Sequence, residues 1–253
     1  DLPNVADFDL SSLRTGVMAG APCPLELMHR VIDRLNMSEI TIMYGQTETS
    51  PVNHMTDIDA PAEKRCGTVG RVGPYQEIKI IDEQGAVVPV GATGELCCRG
   101  YSVMRGYWND EERTRETIDS SGWLHSGDLA EMDAEGYVQI VGRIKDMIIR
   151  GGENVYPREI EEFLYTHPDI LEAQVFGIPD EKYGEIVCAW VQQRDGADLS
   201  AEDIKAYCAD QITHFKVPTI VRFVGEFPMT VTGKIQKFKM RDATVAELAG
   251  NAS

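Results

Sequence analysis

The stretch IMYGQTETSP, residues 42–51, ends an apolar run in a cluster of small polar residues. The overlapping segment EITIMYG, residues 39–45, has the composition of a buried strand. Upstream, residues 13–24 (LRTGVMAGAPCP) predict a short strand, a Gly/Pro loop and a helix that begins near Pro24. A strand, a helix and a second strand with short links predict a right-handed βαβ unit in a parallel sheet.

The predicted helix carries apolar residues at helical spacing. They are Leu27, Val31 and Leu35, with Leu25, Met28 and Ile32 beside them. Both loops, AGAP and YGQTE, then leave the carboxyl ends of parallel strands, where open α/β sheets bind their ligands. A polar turn is the simple interpretation of YGQTE, and this geometry favours the alternative, a nucleotide site.

Composition limits the classes of partner. The 253 residues allow one large domain or two smaller ones. The formal net charge of −17 argues against nucleic acid or anionic membrane as the main partner, because both reward basic surfaces. No apolar run approaches membrane-span length. The 6 cysteines form no C-x-x-C pair and have no His cluster beside them, so we expect a reducing compartment and no zinc site.

The hydrophobic pattern changes along the chain and predicts its organisation. Residues 1–66 are typical of α/β structure, and residues 67–142 contain short strands between Gly/Pro turns (EIKIID, GELCCRG and GYVQIVG). Residues 143–253 alternate strands with helices, and Ser200 and Asp203 predict a capping box. The predicted fold class is α/β with α+β. It comprises the end of a parallel α/β subdomain, an antiparallel barrel-like β subdomain, and a small α+β carboxyl-terminal domain.

No single motif decides the function. TVTGKIQK, residues 230–237, is not a P-loop, because Pro228 stands where the first glycine belongs and Ile235 where Ser or Thr belongs. Taken alone, Lys234 is most simply interpreted as a solvated surface lysine. Asp128, in HSGDLA, is most simply interpreted as a carboxylate that caps a tight turn. The segment VGRIKDMIIRGGENVYP, taken alone, predicts a hairpin with a charged rim.

Taken in order, the motifs resemble the adenylate-forming superfamily of acyl-CoA synthetases, luciferases and peptide-synthetase adenylation domains. The matching segments are AGAP (19–22), YGQTE (44–48), GELCCRG (94–100), SGD (126–128), GRIKDMIIRGGENVYPREIE (142–161) and PMTVTGKIQK (228–237). The resemblance extends over nearly the whole chain. RGYSVMRGYWND and the stretch from HFKVP to GKIQKFKMR are most similar to medium- and long-chain fatty acyl-CoA synthetases.

The resemblance implies an acid–thiol ligase. A small-molecule carboxylic acid and ATP would give acyl-AMP, and coenzyme A would then give acyl-CoA and AMP, with Mg²⁺ as the metal. From the charge and the apolar pattern we expect no nucleic-acid partner and no transmembrane segment, and a homo-oligomer is left open. We expect a cytoplasmic protein, or a mitochondrial matrix protein if a transit peptide lies upstream of Asp1. The alternatives are an adenylation domain that loads a carrier protein, and a catalytically incomplete nucleotide-binding fragment.

The resemblance also implies residue roles in adenylation. The residues expected to contact ATP or AMP are Gly20, Ala21, Pro22, Tyr44, Gly45, Gln46, Thr47, Asp128, Arg143 and Lys234. Of these, the first three would line the adenine slot and Tyr44 would pack on the adenine face. Asp128 would accept from the ribose hydroxyls, and Arg143 would donate to ribose or phosphate. The catalytic candidates are Thr47, which would bond phosphate, and Lys234, which would bridge the acid's carboxylate and the α-phosphate.

Further roles concern the metal, coenzyme A and the domain boundary. Glu48 would hold Mg²⁺, a hard cation suited to carboxylate oxygen. Four residues would contact coenzyme A: Gly151, Gly152, Phe215 and Lys216. The two glycines would line the pantetheine tunnel, because a side chain would fill it. The hinge would fall at Lys145, between the carboxyl-terminal part of a large adenylating domain (1–142) and a mobile small domain (143–253).

One departure from the family pattern matters. The Ser/Thr/Gly-rich phosphate loop that ends in Pro-Lys-Gly is absent from the sequence. In the family this loop, like most of the acyl pocket, belongs to the earlier part of the adenylating domain. We therefore expect the chain to be the carboxyl-terminal portion of a synthetase, inactive in adenylation by itself. Ser126, where many relatives carry Thr, keeps the hydroxyl.

Overall fold

The computed structural model describes residues 4–251, except Pro22 and Thr232. The chain divides into two compact units, one up to Val141 and one from Gly142. Within the described residues, no helix combines the length and the apolar character that crossing a membrane would need.

The first unit contains a four-stranded sheet in the order β1-β2-β3-β4. Its elements are β1 (Thr15–Ala19), α1 (Leu25–Leu35), β2 (Glu39–Tyr44), β3 (His54–Met55), α2 (Ala62–Gly67) and β4 (Arg71–Val72). β1 and β2 pair in parallel, whereas β2–β3 and β3–β4 are antiparallel. The predicted βαβ unit is therefore confirmed, and the loops after Ala19 and Tyr44 leave the same edge of the sheet.

Helix α1 packs on this sheet through part of its apolar surface. Met28 is buried with Ile40 and Ile42, and Val31 and Ile32 pack against them. Leu27, at the start of the predicted stripe, remains 40% exposed. The buried face is therefore centred on Met28 rather than on Leu27.

The second sheet of this unit is a row of four strands in the order β5-β6-β7-β8. Its elements are β5 (Gln76–Ile81), β6 (Gly94–Gly100), α3 (Glu111–Thr117), β7 (Leu124–Met132) and β8 (Val138–Arg143). The last two residues of β8 already belong to the second unit. The pairs β5–β6 and β6–β7 are antiparallel, around a core of Ile80, Leu96, Ala130 and Val138. The predicted antiparallel β subdomain is confirmed, as an open row of strands rather than a closed barrel.

The second unit contains a five-stranded sheet in the order β10-β9-β12-β11, with β13 paired to β12. Its elements are β9 (Ile148–Arg150), β10 (Glu153–Val155), α4 (Pro157–Leu164), β11 (Ile170–Asp180), β12 (Gly184–Gln193), α5 (Ala201–Cys208), β13 (Ile220–Phe223) and α6 (Lys237–Asn251). Val175 of β11 packs with Ile160 and Ile204, whereas its neighbour Phe176 packs with Met240. Because successive strand residues point to opposite faces, helices cover both sides of this sheet.

Local signals explain where α5 begins. The hydroxyl of Ser200 accepts from the N–H of Asp203 at 3.2 Å. In return, the carboxylate of Asp203 accepts from the N–H of Ser200 at 2.9 Å. This confirms the predicted capping box, which satisfies two N–H groups at the start of the helix.

Candidate functional site

The loop after β2 is held by its own backbone. A Cβ atom at Gly45 would overlap the carbonyl oxygen of Pro51, so this close approach requires glycine. A short 3₁₀-helix, Thr47–Thr49, follows. The buried hydroxyl of Thr49 accepts from the N–H of Gln46 at 3.0 Å and donates to its carbonyl at 2.9 Å. These contacts fix the course of the YGQTE segment.

Glu48 is fixed through both its side chain and its main chain. The hydroxyl of Tyr107 donates to Oε1 of Glu48 at 2.7 Å, and the N–H of Met104 donates to its carbonyl at 2.8 Å. Burial, reinforced by the bond to Glu48, raises the pKa of Tyr107, which keeps the hydroxyl a donor. The adjacent Thr47 is exposed. No role for Tyr107 was predicted, although RGYWND was among the recognised segments.

Tyr44 and Asp128, which are 84 positions apart, meet directly. The Tyr44 hydroxyl donates to Oδ2 of Asp128 at 2.5 Å, and Asp128 is only 4% exposed. Burial, followed by the charge of Asp128, raises the pKa of Tyr44, so the hydroxyl stays protonated. The Tyr44 ring also lies edge-on to His54, with ring centroids 5.8 Å apart. The structure thus brings together two of the predicted nucleotide residues.

Asp128 lies within strand β7, and the prediction of a tight turn at this position is wrong. The hydroxyl of Ser126 accepts from the N–H of Asp128 at 3.1 Å. The ladder between the strands shifts register between two pairs, Glu95↔Leu129 and Cys97↔His125. Residues 126–128 therefore bulge from the ladder, and bulges redirect the side chains that they carry.

The predicted adenine loop follows β1. Gly20 has φ +85, a backbone conformation that favours glycine. Ala21 is exposed, and the predicted contact residue Pro22 lies outside the described residues. Because β1 and β2 are parallel neighbours, this loop and the YGQTE loop leave the same sheet edge.

Arg143 and Lys145 lie at the start of the second unit. Arg143 is the last residue of β8, and Lys145 belongs to the short 3₁₀-helix Ile144–Asp146. Both side chains are exposed. A hydrogen bond of 3.0 Å from the N–H of Met147 to the carbonyl of Arg143 closes this turn.

The predicted coenzyme A residues lie around the β9–β10 hairpin. Gly151 and Gly152 form its turn with φ +62 and φ +89, the signs that a type I′ turn requires. A Cβ atom at Gly152 would meet nothing within 4 Å among the described residues. Glycine is therefore needed here for backbone conformation, and the second unit itself leaves room for a side chain.

Arg150 connects this hairpin to the other two predicted coenzyme A residues. Its Nη1 donates to the carbonyl of Phe215 at 2.5 Å. The guanidinium also lies 5.3 Å from the centroid of the Tyr183 ring. Lys216, next in the chain, forms an ion pair with Glu159 at 2.6 Å. The structure therefore brings Gly151, Gly152 and Phe215 to one region, while the charge of Lys216 is already paired.

Lys234 lies in a tight loop before α6. The N–H of Thr230 donates to the carbonyl of Lys234 at 2.8 Å, and the N–H of Lys234 donates to the Thr230 hydroxyl at 3.0 Å. Lys237 anchors the base of the loop, since its Nζ lies 2.6 Å from Glu161 and 3.0 Å from the Val175 carbonyl. The side chain of Lys234 is exposed, and within the described residues no carboxylate pairs with it.

One group of potential metal ligands occurs among the described residues, namely Glu95, Cys97 and His125. A thiol and an imidazole suit softer cations than Mg²⁺. Glu48, the predicted Mg²⁺ ligand, is not a member of this group. A single carboxylate fits Mg²⁺ at a phosphate site, because the ion keeps water and phosphate ligands.

Comparison with known proteins identifies the family. Residues 2–108 match the model described as AMP-binding enzyme, and residues 159–234 match the AMP-binding enzyme C-terminal domain. The putative acyl-CoA synthetase YngI of Bacillus subtilis (strain 168) is 52% identical over 245 residues, which cover 96% of this chain and 44% of YngI. The mitochondrial medium-chain acyl-CoA ligase ACSF2 of Danio rerio is 51% identical over 247 residues, 97% of this chain and 41% of that protein.

A solved structure agrees. ATP-bound MatB from Rhodopseudomonas palustris matches with a TM-score of 0.83 and 32% identity, over 90% of this chain and 44% of MatB. The chain spans 41 to 44% of the length of the curated relatives named above. Both family models and both relatives agree with the order of motifs in the sequence. The chain belongs to the AMP-binding, adenylate-forming enzymes.

Proposed function

We propose that the chain is the carboxyl-terminal portion of an ATP-dependent fatty acyl-CoA synthetase. In the first step the acid's carboxylate attacks the α-phosphate of ATP, and acyl-AMP forms as pyrophosphate leaves. In the second, the thiol of coenzyme A loses its proton and attacks the acyl carbonyl, and AMP leaves. Family membership supports the adenylation step, and the names of YngI and ACSF2 support coenzyme A as the acceptor.

The contact between Tyr44 and Asp128 carries the proposal at the level of the site. A carboxylate that is 4% exposed and oriented by a neutral hydroxyl is a strong acceptor for the ribose hydroxyls. The Tyr44 ring would pack on adenine, beside the loop that begins at Gly20. Thr47, exposed at the start of its 3₁₀-helix, would donate its hydroxyl to a phosphate oxygen.

Glu48 is the residue that would hold Mg²⁺. The Tyr107 hydroxyl occupies one side of its carboxylate and orients it. When bound, Mg²⁺ would neutralise phosphate charge. The main chain of Glu48 is also held, because the N–H of Met104 donates to its carbonyl.

The second unit would supply residues to both steps. The exposed ammonium of Lys234 suits it to the negative charge that develops between the acid and the α-phosphate. Arg143 would donate to ribose or phosphate. The Gly151–Gly152 turn, with Phe215 close to it through Arg150, would receive coenzyme A in the second step. We propose Lys145 as the hinge of a domain rotation between the two steps. This rotation would withdraw Lys234 after adenylation and bring in the Gly151–Gly152 turn for thioester formation.

Exposed apolar residues support the proposal that an upstream part of the protein covers the first sheet. Strand β1 is the end strand of its sheet, and Val17 and Leu27 are exposed on β1 and α1. Parallel strands are normally covered on both faces. The chain also spans less than half the length of YngI and ACSF2. For localisation we propose the cytoplasm, with the mitochondrial matrix as the alternative that the name of ACSF2 supports.

The isolated chain is expected to release no pyrophosphate from ATP with any fatty acid, because the phosphate loop is absent from its sequence. The complete synthetase that carries the chain is expected to release pyrophosphate when a medium- or long-chain acid is added, and to form acyl-CoA. A coupled pyrophosphate assay measures both, with folded chain verified by circular dichroism. Turnover by the chain alone, or none by the complete protein with any acid, would contradict the proposal.

A further inference from the structure

The bulge in β7 leaves backbone groups that the strand ladder cannot satisfy. Residues 126–128 lie between the pairs Glu95↔Leu129 and Cys97↔His125, where the register of β6 and β7 shifts. Gly127, at the centre, has φ +70. Gly127 lies outside the paired residues of this ladder, and a backbone donor without a partner is costly inside a protein.

Glu95 of β6 supplies that partner. Its Oε1 accepts from the N–H of Gly127 at 3.1 Å, and its Oε2 lies 2.9 Å from Nδ1 of His125. Nε2 of His125 in turn lies 3.9 Å from Oδ2 of Asp119. Both oxygens of Glu95 are thus engaged. One accepts from Gly127 in the bulge, and the other lies against the imidazole ring of His125, the residue before the bulge. The Glu95 side chain is only 19% exposed, so solvent weakens these bonds little.

Two restraints therefore act on the same aspartate from different directions. Tyr44 holds the carboxylate of Asp128 through its hydroxyl, whereas Glu95 holds the backbone one residue earlier. The hydroxyl of Ser126 adds a bond to the N–H of Asp128. If the backbone of the bulge could rotate freely, the Asp128 carboxylate could move away from the Tyr44 hydroxyl. The hydrogen bond from Gly127 to Glu95 opposes that rotation.

We propose that Glu95, supported by His125, is a positioning residue that sets the Asp128 carboxylate for recognition of the nucleotide ribose. This rests on the proposed function, in which Asp128 accepts from the ribose hydroxyls. Glu95 acts through the bulge and does not touch the nucleotide. Its loss weakens the preference for ribose over deoxyribose.

A metal site is the competing explanation of the same cluster. Sγ of Cys97 lies 3.7 Å from Nδ1 of His125. Burial, then the charge of Glu95, raises the pKa of Cys97 to about 12, so without an ion the group is a thiol. The contacts to Gly127 and His125 also account for the carboxylate of Glu95 without an ion.

The test compares ATP with 2′-deoxy-ATP and 3′-deoxy-ATP in fatty-acid-dependent pyrophosphate release by the complete synthetase. The ratio of kcat/KM for ATP to that for each analogue is measured in one preparation, so partial unfolding cancels. Glu95→Ala removes both contacts, and Glu95→Gln keeps an oxygen for the Gly127 N–H. Asp128→Asn is the reference variant. Glu77→Gln is the matched control, since Glu77 lies on the adjacent β5 and forms a surface ion pair with Arg99 at 2.5 Å.

The expected ratio falls about tenfold or more in Asp128→Asn, which loses a charge-assisted bond. It falls severalfold in Glu95→Ala, less in Glu95→Gln, and stays unchanged in Glu77→Gln. A fall in Asp128→Asn with none in Glu95→Ala overturns the positioning role and leaves the proposed function standing. An unchanged ratio in Asp128→Asn overturns the ribose role of Asp128 and this inference with it. Zinc found by elemental analysis in the complete protein and absent from Glu95→Ala would overturn the inference in favour of a metal site.

Discussion

The hydroxyl of Tyr44 donates to a carboxylate that is 4% exposed, so each group depends on the other. A buried carboxylate is tolerated when donors surround it, and it destabilises the protein when one of them is removed. The same bond orients the carboxylate that we assign to the ribose. The hydrogen bond between Tyr44 and Asp128 is therefore expected to contribute to both stability and nucleotide binding.

Replacing Tyr44 with Phe is expected to lower the free energy of unfolding by about 1–3 kcal/mol, because the Asp128 carboxylate loses a buried donor. Urea unfolding of the chain measures the loss. Tyr75→Phe is the control, since Tyr75 is 93% exposed. Equal stability of Tyr44→Phe and Tyr75→Phe would show that the bond contributes nothing.

His54 gives a pH dependence with a definite sign. It is fully buried, its Nε2 has no partner among the described residues, and burial lowers its pKa to about 4. The unfolded chain, with an ordinary His pKa of about 6.5, takes up a proton as the pH falls below that value. The folded state takes it up only near pH 4. The contribution of neutral His54 is thus complete above pH 6.5 and is lost as the pH falls to 4.

Wild type is therefore expected to lose more stability between pH 7 and pH 4.5 than His54→Leu does, by about 2 kcal/mol. Urea unfolding of both proteins at several pH values measures this difference. Titration of carboxylates changes the unfolding free energy of both proteins equally, so it cancels in the comparison. Parallel pH profiles for the two proteins would disprove the assignment.

Several residues at the site were not predictable from the sequence alone. Tyr107 and Glu95 both lie in recognised segments, yet their roles depend on which strands and loops become neighbours. Sequence spacing shows which face of a strand a residue occupies, and it does not show that Glu95 opposes a bulge around Gly127. His54 carried no signal, because a lone His beside an apolar segment is indistinguishable from a surface one.

At Gly152 in the β9–β10 hairpin, the effect of a side chain on backbone conformation can be distinguished from its effect on a bound ligand. Gly152 has φ +89, and a Cβ there would meet nothing within 4 Å. Leucine at this position is therefore strained by its backbone, whereas asparagine tolerates positive φ. Any effect of asparagine beyond backbone strain must come from a ligand.

In the complete synthetase, Gly152→Asn is expected to slow thioester formation from supplied acyl-AMP and coenzyme A by about tenfold or more, because its side chain would enter the space proposed for pantetheine. Acyl-AMP formation should change little. The two half-reactions are measured separately, with Gly196→Asn, another exposed glycine of positive φ, as the matched control. A normal second half-reaction in Gly152→Asn would remove the glycine turn from the coenzyme A path.

Elements were predictable where one local pattern dominated. GELCCRG became β6 at its predicted limits, and Ser200 with Asp203 marks the start of α5. Strand β7 was missed, because the polar bulge at residues 126–128 interrupts its alternation. Helix α6 was missed because its described buried residues are one apolar and one polar residue, Met240 and Thr244, which give no apolar helical period.

At the scale of the whole molecule, the order of the motifs carried more information than any one of them. Each motif alone fits an ordinary turn or hairpin, but their sequence along the chain matches a single family, which the two family models confirm. The chain divides between Val141 and Gly142, directly before the segment in which Lys145 lies. That Lys145 is the hinge between two catalytic states stays a prediction.

Lys234→Ala in the complete synthetase is expected to separate the two half-reactions. Lys234 is exposed and stands on a loop anchored by Lys237, so its removal should leave the fold intact. We expect a loss of about a hundredfold or more in acyl-AMP formation from acid and ATP, because the developing negative charge loses its partner. Conversion of supplied acyl-AMP and coenzyme A to acyl-CoA should stay close to wild type. Equal loss of both half-reactions in a folded variant would contradict the proposal that Lys234 acts in acyl-AMP formation and not in thioester formation.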